Sequence, residues 1–237
     1  MKHIPNIITL MNLFCGCLAI IWLADNRIQD AALLIFLAAV LDFLDGMVAR
    51  LLKAYSDIGK ELDSLADVVS FGVVPGLILF ALFQEQSGAN LSVSDSDSLV
   101  PYVALLVPLL SAYRLAKFNI DTRQKEYFIG LPTPANSLCI ASMALIPNNP
   151  ADPASNLFHQ PAFLAVFSIV CSFLLIAEIP LFSLKSLSSG WGANKGFGLL
   201  IGISLVTALL LGFAAGPVIL IFYLILSYLF PPVKNTP

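Results

Sequence analysis

The chain runs repeatedly through about 20 consecutive apolar residues, the length an α-helix needs to cross the hydrocarbon core of a bilayer, and this limits its fold more than any other feature. Read in this way, the sequence gives eight spans, roughly at 6–24, 28–52, 61–84, 99–119, 131–147, 160–178, 196–214 and 216–231. Pro132, Pro134, Pro147 and Pro180 interrupt or flank the fifth and sixth. The last two are separated only by Ala215, Gly216 and Pro217, so they also read as one long broken helix. With 58% hydrophobic residues, 11% charged residues and a mean hydropathy of +0.89, the composition lies outside the soluble range. The expected fold is an all-α polytopic transmembrane bundle forming one domain over residues 1–237.

Charge sets the orientation. Lys2 precedes the first span, Arg50, Lys53 and Lys60 follow the second, and Arg114, Lys117, Arg123 and Lys125 follow the fourth. Lys185 and Lys195 follow the sixth and Lys234 the eighth, leaving only Arg27 on the other side. Both termini are therefore expected in the cytoplasm. The polar segment Ser87 to Ser98 has no Lys or Arg and reads as an extracytoplasmic loop without chemistry. The net charge of −3 and pI of about 5.2 argue against nucleic acid as a partner. Cys15, Cys17, Cys139 and Cys171 fall in apolar segments without metal-site spacing and read as packing residues. The first apolar run has no small-residue cleavage site, so it reads as a spanning helix and not as a cleaved signal.

Against this background the stretch Leu41 to Asp67 stands out, with Asp42, Asp45, Asp63 and Asp67 beside or within apolar sequence. Carboxylates at membrane depth are costly and usually face a cavity, an ion or a partner. Asp42 and Asp45 lie about 60° apart around a helix, and Asp63 and Asp67 about 40° apart, so each pair lines one helix face. The charged turn from Lys53 to Lys60 lets the second helix fold back so that the two faces meet. Four converging carboxylates repel unless protonated or bridged by divalent ions, and hard oxygen ligands suit magnesium or manganese. Two such ions form the clamp used for displacement at phosphorus.

Small residues at Gly46, Ala49 and Gly59 leave room for a substrate or a neighbouring backbone. Arg50 and Ser56 supply a cationic fork and a hydroxyl beside the acids, as a phosphate-bearing ligand needs. Asn6, Thr9 and Asn12 form a polar stripe along the first span, either interhelical glue or part of the site wall. Arg114, Lys117 and Asn119 come to the cytoplasmic end of the fourth span, where Arg114 lies deep enough to meet a ligand carboxylate or phosphate. Arg123 and Lys125 read as ordinary positive-inside anchors.

Asp42, Asp45, Gly46, Ala49, Arg50, Gly59, Asp63 and Asp67 reproduce the pattern DxxDGxxAR, eight residues, GxxxDxxxD. It resembles the signature of the CDP-alcohol phosphotransferases position for position. The PN, T and N pattern in Ile4 to Gly16, with RxAKFN from Arg114 and FIGLPTPA from Phe128, is similar to the phosphatidylserine synthase branch. These motifs lie within 1–147, the expected catalytic part, and 148–237 would add C-terminal helices.

The resemblance implies transfer of a phosphatidyl group from CDP-diacylglycerol to L-serine, with two divalent cations, Mg2+ or Mn2+, on Asp42, Asp45, Asp63 and Asp67. It implies Asp67 as the base for the serine hydroxyl and a CDP site at Gly46, Ala49, Arg50, Ser56 and Gly59. Arg114 and Asn119 are the candidates for the serine carboxylate or amino group, and a homodimer is expected. The acyl chains would leave sideways between helices, requiring no closed hydrophobic pocket. Alternatives are a sister enzyme acting on glycerol 3-phosphate or inositol and, from another class, an ion-coupled transporter.

Overall fold

Helix α1 (Ile4–Ala24) carries Pro5 in its first turn, where the missing N–H has no intrahelical partner to lose. It ends at Asn26, whose φ of 58° closes a Schellman motif in which Arg27 N–H donates to the Trp22 carbonyl and Asn26 N–H to that of Leu23. Helix α2 (Ile28–Leu51) ends the same way, with Lys53 at φ 48°, Ala54 N–H on the Ala49 carbonyl and Lys53 N–H on that of Arg50. These reversals lay α1 along α2 and return the chain into α3 (Asp57–Asp67), capped by Ser56. The structure, a computed structural model, describes residues 3–54, 56–87, 99–120, 128–149, 152–181 and 195–230. The expectations for Lys2, 88–98, Arg123, Lys125, Lys185 and Lys234 fall outside these residues.

The third expected span begins one turn early and is not uniform. α3 passes without a break into a π-helical segment, Val68–Val73, and then into α4 (Val74–Ser87). α4 carries Val74, Ile78 and Leu79 at 0% exposure and forms the centre of the bundle. The fourth span is a 3₁₀ turn, Val100–Leu105, followed by α5 (Leu106–Ile120). Helix α6 (Thr133–Ala144) covers the fifth, and α8 (Pro161–Ile176) the sixth. The short helix α7 (Pro153–His159) occupies a stretch expected to be loop. There Ser155 Oγ donates to the Pro147 carbonyl and accepts the Asn149 N–H.

Helices α9 (Lys195–Leu211) and α10 (Ala215–Leu229) meet at the 3₁₀ turn Gly212–Ala214 and pack on each other. The reversal lies three residues before the expected Ala215, Gly216 and Pro217. Gly212 supplies the required φ of 54°, whereas Pro217 fits the first turn of the next helix.

By length and composition, five helical runs can cross a membrane: Ile4–Ala24, Ile28–Leu51, Asp57–Glu85, Val100–Ile120 and Gly198–Leu229. The last contains the α9–α10 turn. An eight-span count requires α6, α8, α9 and α10, of 12, 16, 17 and 15 residues, each to be taken as a span.

Small side chains govern the packing, as expected where lipid provides no hydrophobic drive between helices. Ala19, Ala31, Ala32 and Ala38 are 0–1% exposed in the core that α1 and α2 share. Phe14, Phe43, Leu109 and Leu209 stand on outer faces, as lipid-facing residues should. The four cysteines are free. Arg27, the one basic residue at the α1–α2 turn, is neutralised locally, 2.8 Å from Asp30 and stacked 4.4 Å from the Trp22 ring centroid.

Gly76 lets α4 approach α5. A Cβ there would come 2.6 Å from Pro108 Cδ and 3.3 Å from the Ala104 carbonyl oxygen, both on stiff groups. Gly76→Ala is expected to lower stability by about 1–3 kcal/mol, the usual cost of overpacking. Gly202→Ala, where a Cβ meets nothing within 4 Å, should be neutral or stabilising. Thermal unfolding midpoints of the two variants in detergent check this.

Candidate active site

The α2–α3 reversal turns the two acidic faces toward each other. One carboxylate oxygen from each of Asp42, Asp63 and Asp67 lies within 4.8 Å of the others. Asp45, one turn along α2 from Asp42, is within electrostatic reach of all three, but its Oδ2 accepts a 2.6 Å hydrogen bond from Thr9 Oγ1. Three of the four predicted ligands therefore converge directly, and the fourth is held by α1.

The polar stripe of α1 bonds the aspartates of α2 and α3 directly. Thr9 bonds Asp45, and Asn12 Nδ2 donates to Asp67 Oδ1 at 3.4 Å. Asn6 Oδ1 stands 3.0 Å from the point a Cβ on Gly59 would occupy, so Gly59 makes room for Asn6 at the start of α3. Asn12 is itself fixed, because its backbone carbonyl accepts from Ser70 Oγ at 3.0 Å in the π segment. The π segment begins at the residue after Asp67, a common location for such irregularity beside functional groups.

The remaining predicted residues divide into two groups. Ser56 is the N-cap of α3, its Oγ accepting the Gly59 N–H at 3.0 Å, which leaves its hydroxyl hydrogen to donate outward. Gly46 faces open space, Ala49 is half-buried, and Arg50 is exposed at the end of α2. None of these residues lines the cavity of about 850 Å3 whose wall includes Asp42, Asp63, Asp67, Arg114 and Asn119.

Arg114 is 6% exposed, and Asp67 is among the groups that interact with it electrostatically. Its Nη1 makes one long bond, 3.4 Å, to Thr133 Oγ1, and its Nε has no hydrogen-bond partner among the described residues. Asn119 is partly committed, since its side-chain Nδ2 donates to Ser64 Oγ at 2.8 Å, while its backbone carbonyl accepts from Lys60 Nζ at 2.9 Å. Lys117 points elsewhere, 3.1 Å from Glu178.

Thr133, Lys60, Ser64 and Tyr223 also line the cavity but were not singled out from sequence. For Thr133 the signal was the GLPT run. Gly130 adopts φ 78° against the Leu175 carbonyl, its N–H donates to Ile179 O, and Leu131 N–H donates to Leu174 O. These bonds, beside the two-residue antiparallel ribbon Phe128–Ile129 with Pro180–Leu181, bring the start of α6 to Arg114. Tyr223 gave no signal, because only tertiary packing brings it in.

A family model for CDP-alcohol phosphatidyltransferases matches residues 2–176. The chain belongs to this family. Among curated relatives, the CDP-diacylglycerol--serine O-phosphatidyltransferase of Bacillus subtilis is 34% identical over 183 residues, covering 76% of this chain and 89% of the relative. A protein of the same name from Mycobacterium leprae is 31% identical over 237 residues, covering 97% and 73%. That from Methanocaldococcus jannaschii is 36% identical over 146 residues, 62% of each. Membership in the CDP-alcohol phosphatidyltransferases makes the chain a phospholipid-biosynthetic transferase, and the family depends on metal.

The residues present fit that requirement. The donor set is all carboxylate oxygen, and Asp63 Oδ1 is buried with no hydrogen-bond partner among the described residues, as a ligand atom would be. Asp42→Asn is expected to abolish tight Mn2+ binding. Thr9→Val, which removes only the group holding Asp45, should weaken it roughly 10–100-fold. Titrating free Mn2+ by its paramagnetic resonance signal reads both.

Proposed function

We propose that the protein transfers a phosphatidyl group from CDP-diacylglycerol to L-serine, giving phosphatidylserine and CMP. The observation that carries this reading is a single cavity lined by three convergent carboxylates and by a buried arginine whose Nε has no hydrogen-bond partner among the described residues. The relatives named for the same reaction support it. In the net reaction the serine oxygen bonds to phosphorus, the phosphorus–oxygen bond to CMP breaks, and the serine hydroxyl proton leaves to a base.

Asp42, Asp45, Asp63 and Asp67 are the ligands proposed for two divalent cations, Mg2+ or Mn2+. When bound, these would neutralise the diphosphate and polarise the phosphorus under attack. Asp67 is the proposed base. With Asn12 donating to its Oδ1, the carboxylate is held in one orientation and its Oδ2 is left to take the proton. Gly46, Ala49, Arg50, Ser56 and Gly59, with Asn6 beside them, form the proposed cytidine diphosphate side. Arg50 and the outward Ser56 hydroxyl suit phosphate oxygens.

Arg114 and Asn119 form the acceptor side. A guanidinium that is buried, charged and short of acceptors is a strong site for a carboxylate, which can take two parallel hydrogen bonds from it. Part of the cavity wall is apolar, following α6 from Ala135 to Ser142, about 10 Å of helix, and including Phe213 and Leu220. That wall offers one acyl chain a place inside the bundle, where the sequence alone led us to expect only a sideways exit into lipid.

The same proposal places the protein in the cytoplasmic membrane with both termini in the cytoplasm and the acids near the cytoplasmic face. There Lys53 lies in the α2–α3 turn, Lys60 near the start of α3 and Lys117 in the last turn of α5, and soluble serine would have access. It includes a homodimer, which the family resemblance implies.

Purified protein with CDP-diacylglycerol, Mn2+ and labelled serine is expected to release CMP only when serine is present. Release with glycerol 3-phosphate or inositol instead would move the activity to a sister enzyme, and no metal-dependent CMP release at all would favour the transporter reading. Asp67→Asn should reduce turnover by about 10²–10⁴-fold, the usual contribution of a general base, while CDP-diacylglycerol still binds.

A further inference from the structure

Several buried hydroxyls of the bundle are satisfied within their own helix. Thr9, Ser137, Ser142 and Ser168 each donate to a carbonyl three or four residues back. Ser111 of α5 and Ser172 of α8, both 0% exposed, do not, and neither Oγ has a hydrogen-bond partner among the described residues. The same holds for Nδ2 and Oδ1 of Asn136 on α6, also 0% exposed, and for Nε of Arg114. Helix geometry puts these groups in one layer. The 3.4 Å bond from Arg114 Nη1 to Thr133 Oγ1 joins α5 to the start of α6. α5 runs opposite to the π segment and α4, since a Cβ on Gly72 would lie 3.1 Å from Ser111 Cβ and one on Gly76 would lie 2.6 Å from Pro108 Cδ. α6 continues from Thr133 along the π segment and α4. One turn back from Arg114 to Ser111 and one turn on from Thr133 to Asn136 therefore lead the same way, each by about 4.5 Å. α8 runs toward the ribbon, and near its end the Leu174 carbonyl accepts the Leu131 N–H at 2.9 Å. Ser172, two residues earlier, lies inward of that bond, level with the start of α6.

We propose that this layer is a buried water site and that Asn136, through the water, is a positioning residue for Arg114. The inference rests on Arg114 meeting the acceptor's carboxylate and adds what holds the guanidinium in place. A buried donor or acceptor left unpaired is expensive, and interior water answers such groups where several converge. A water that accepts from the Arg114 Nε–H and donates to Asn136 Oδ1 satisfies both at once. The Ser111 and Ser172 hydroxyls, each able to donate and accept, can turn to that water or to Asn136 Nδ2. Thr133 alone is a weak hold, because its bond to Nη1 is long. With Nε also held, the planar fork is fixed at two points and meets its ligand in one orientation, which lowers the entropy lost on binding. Asn136 is not among the residues lining the cavity, so it acts through Arg114 and touches no substrate.

The test compares Asn136→Leu with Asn136→Ser in the full-length protein, assayed in mixed micelles of detergent and CDP-diacylglycerol with Mn2+. Leucine keeps the volume and removes both polar atoms, whereas serine keeps a hydroxyl and leaves room for water. In the Leu variant the KM for serine is expected to rise about tenfold, the scale of one hydrogen bond to a charged group, with kcat and the KM for CDP-diacylglycerol little changed. The Ser variant should stay close to wild type. An unchanged serine KM in the Leu variant would overturn the positioning role, as would an equal rise in the KM for CDP-diacylglycerol or a Ser variant as impaired as the Leu variant. The water itself is read in the wild-type protein, in lipid nanodiscs, from a density map fine enough to show ordered water. Density within hydrogen-bond distance of both Arg114 Nε and Asn136 is expected, and a dry layer would overturn the site even if the Leu variant failed to fold. Should wild-type protein release no CMP with serine, the acceptor reading falls, whereas the water site falls only on dry density.

Discussion

Carboxylates gathered below a membrane surface must be matched by something, and the architecture is arranged around that demand. Unmatched, the four aspartates would repel each other in a medium that screens poorly. The protein meets part of the demand with neutral donors: Thr9 on Asp45 and Asn12 on Asp67, both from α1. Neutral donors orient an anion without cancelling its charge, and a cation on the same oxygens supplies what they do not. Thr9 and Asn12 are 3% and 0% exposed, so the first helix is built into the acidic site and is not merely a membrane anchor.

The π segment makes that arrangement possible. α3 stands largely at the surface, whereas α4, in the same continuous run, is the most enclosed helix of the bundle. Widening the helix for one turn at Val68–Val73 changes which face points inward between these two environments. Small residues grip the wide turn on both sides. Gly16 of α1 lies against Ser70, and Gly72 lies against Ser111 of α5. The Ser70 hydroxyl returns to the Asn12 carbonyl, so the irregular turn and the residue that orients Asp67 hold one another in place.

Much of this was legible in the chain because the governing patterns are local. Asp42 and Asp45, and Asp63 and Asp67, share helix faces by spacing alone, whereas Ser56, read from the sequence as a hydroxyl for a phosphate-bearing ligand, also caps α3. The apolar runs gave the four longest N-terminal helices to within a few residues. What stayed hidden depends on contacts far apart in sequence. Hydropathy has no term for a wide turn inside a continuous apolar run, so Val68–Val73 was invisible. The pattern Ala215, Gly216 and Pro217 reads as the C-terminal reversal, yet the chain uses Gly216 for close packing on α6 and Gly212 for the turn. Asn119 looked like a free ligand group until Ser64, 55 residues away, was seen to accept its amide.

The cavity has one polar end and one apolar wall, and this division follows from which helices build it. α2 and α3 contribute acids because their facing sides are fixed by the signature. α6 and α10 contribute Ala135, Leu138, Ile219 and Leu220, which carry no charge and pack through small residues. Arg114 sits where the two meet, on a helix joined to neither by the aspartate pattern. The proposed lipid substrate, a diphosphate with two hydrocarbon tails, would have the same division, so matching polarity would orient it in the cavity before any specific hydrogen bond forms. The Arg114–Thr133 bond between α5 and α6 stands at this junction, where the charged end of the cavity gives way to its apolar wall.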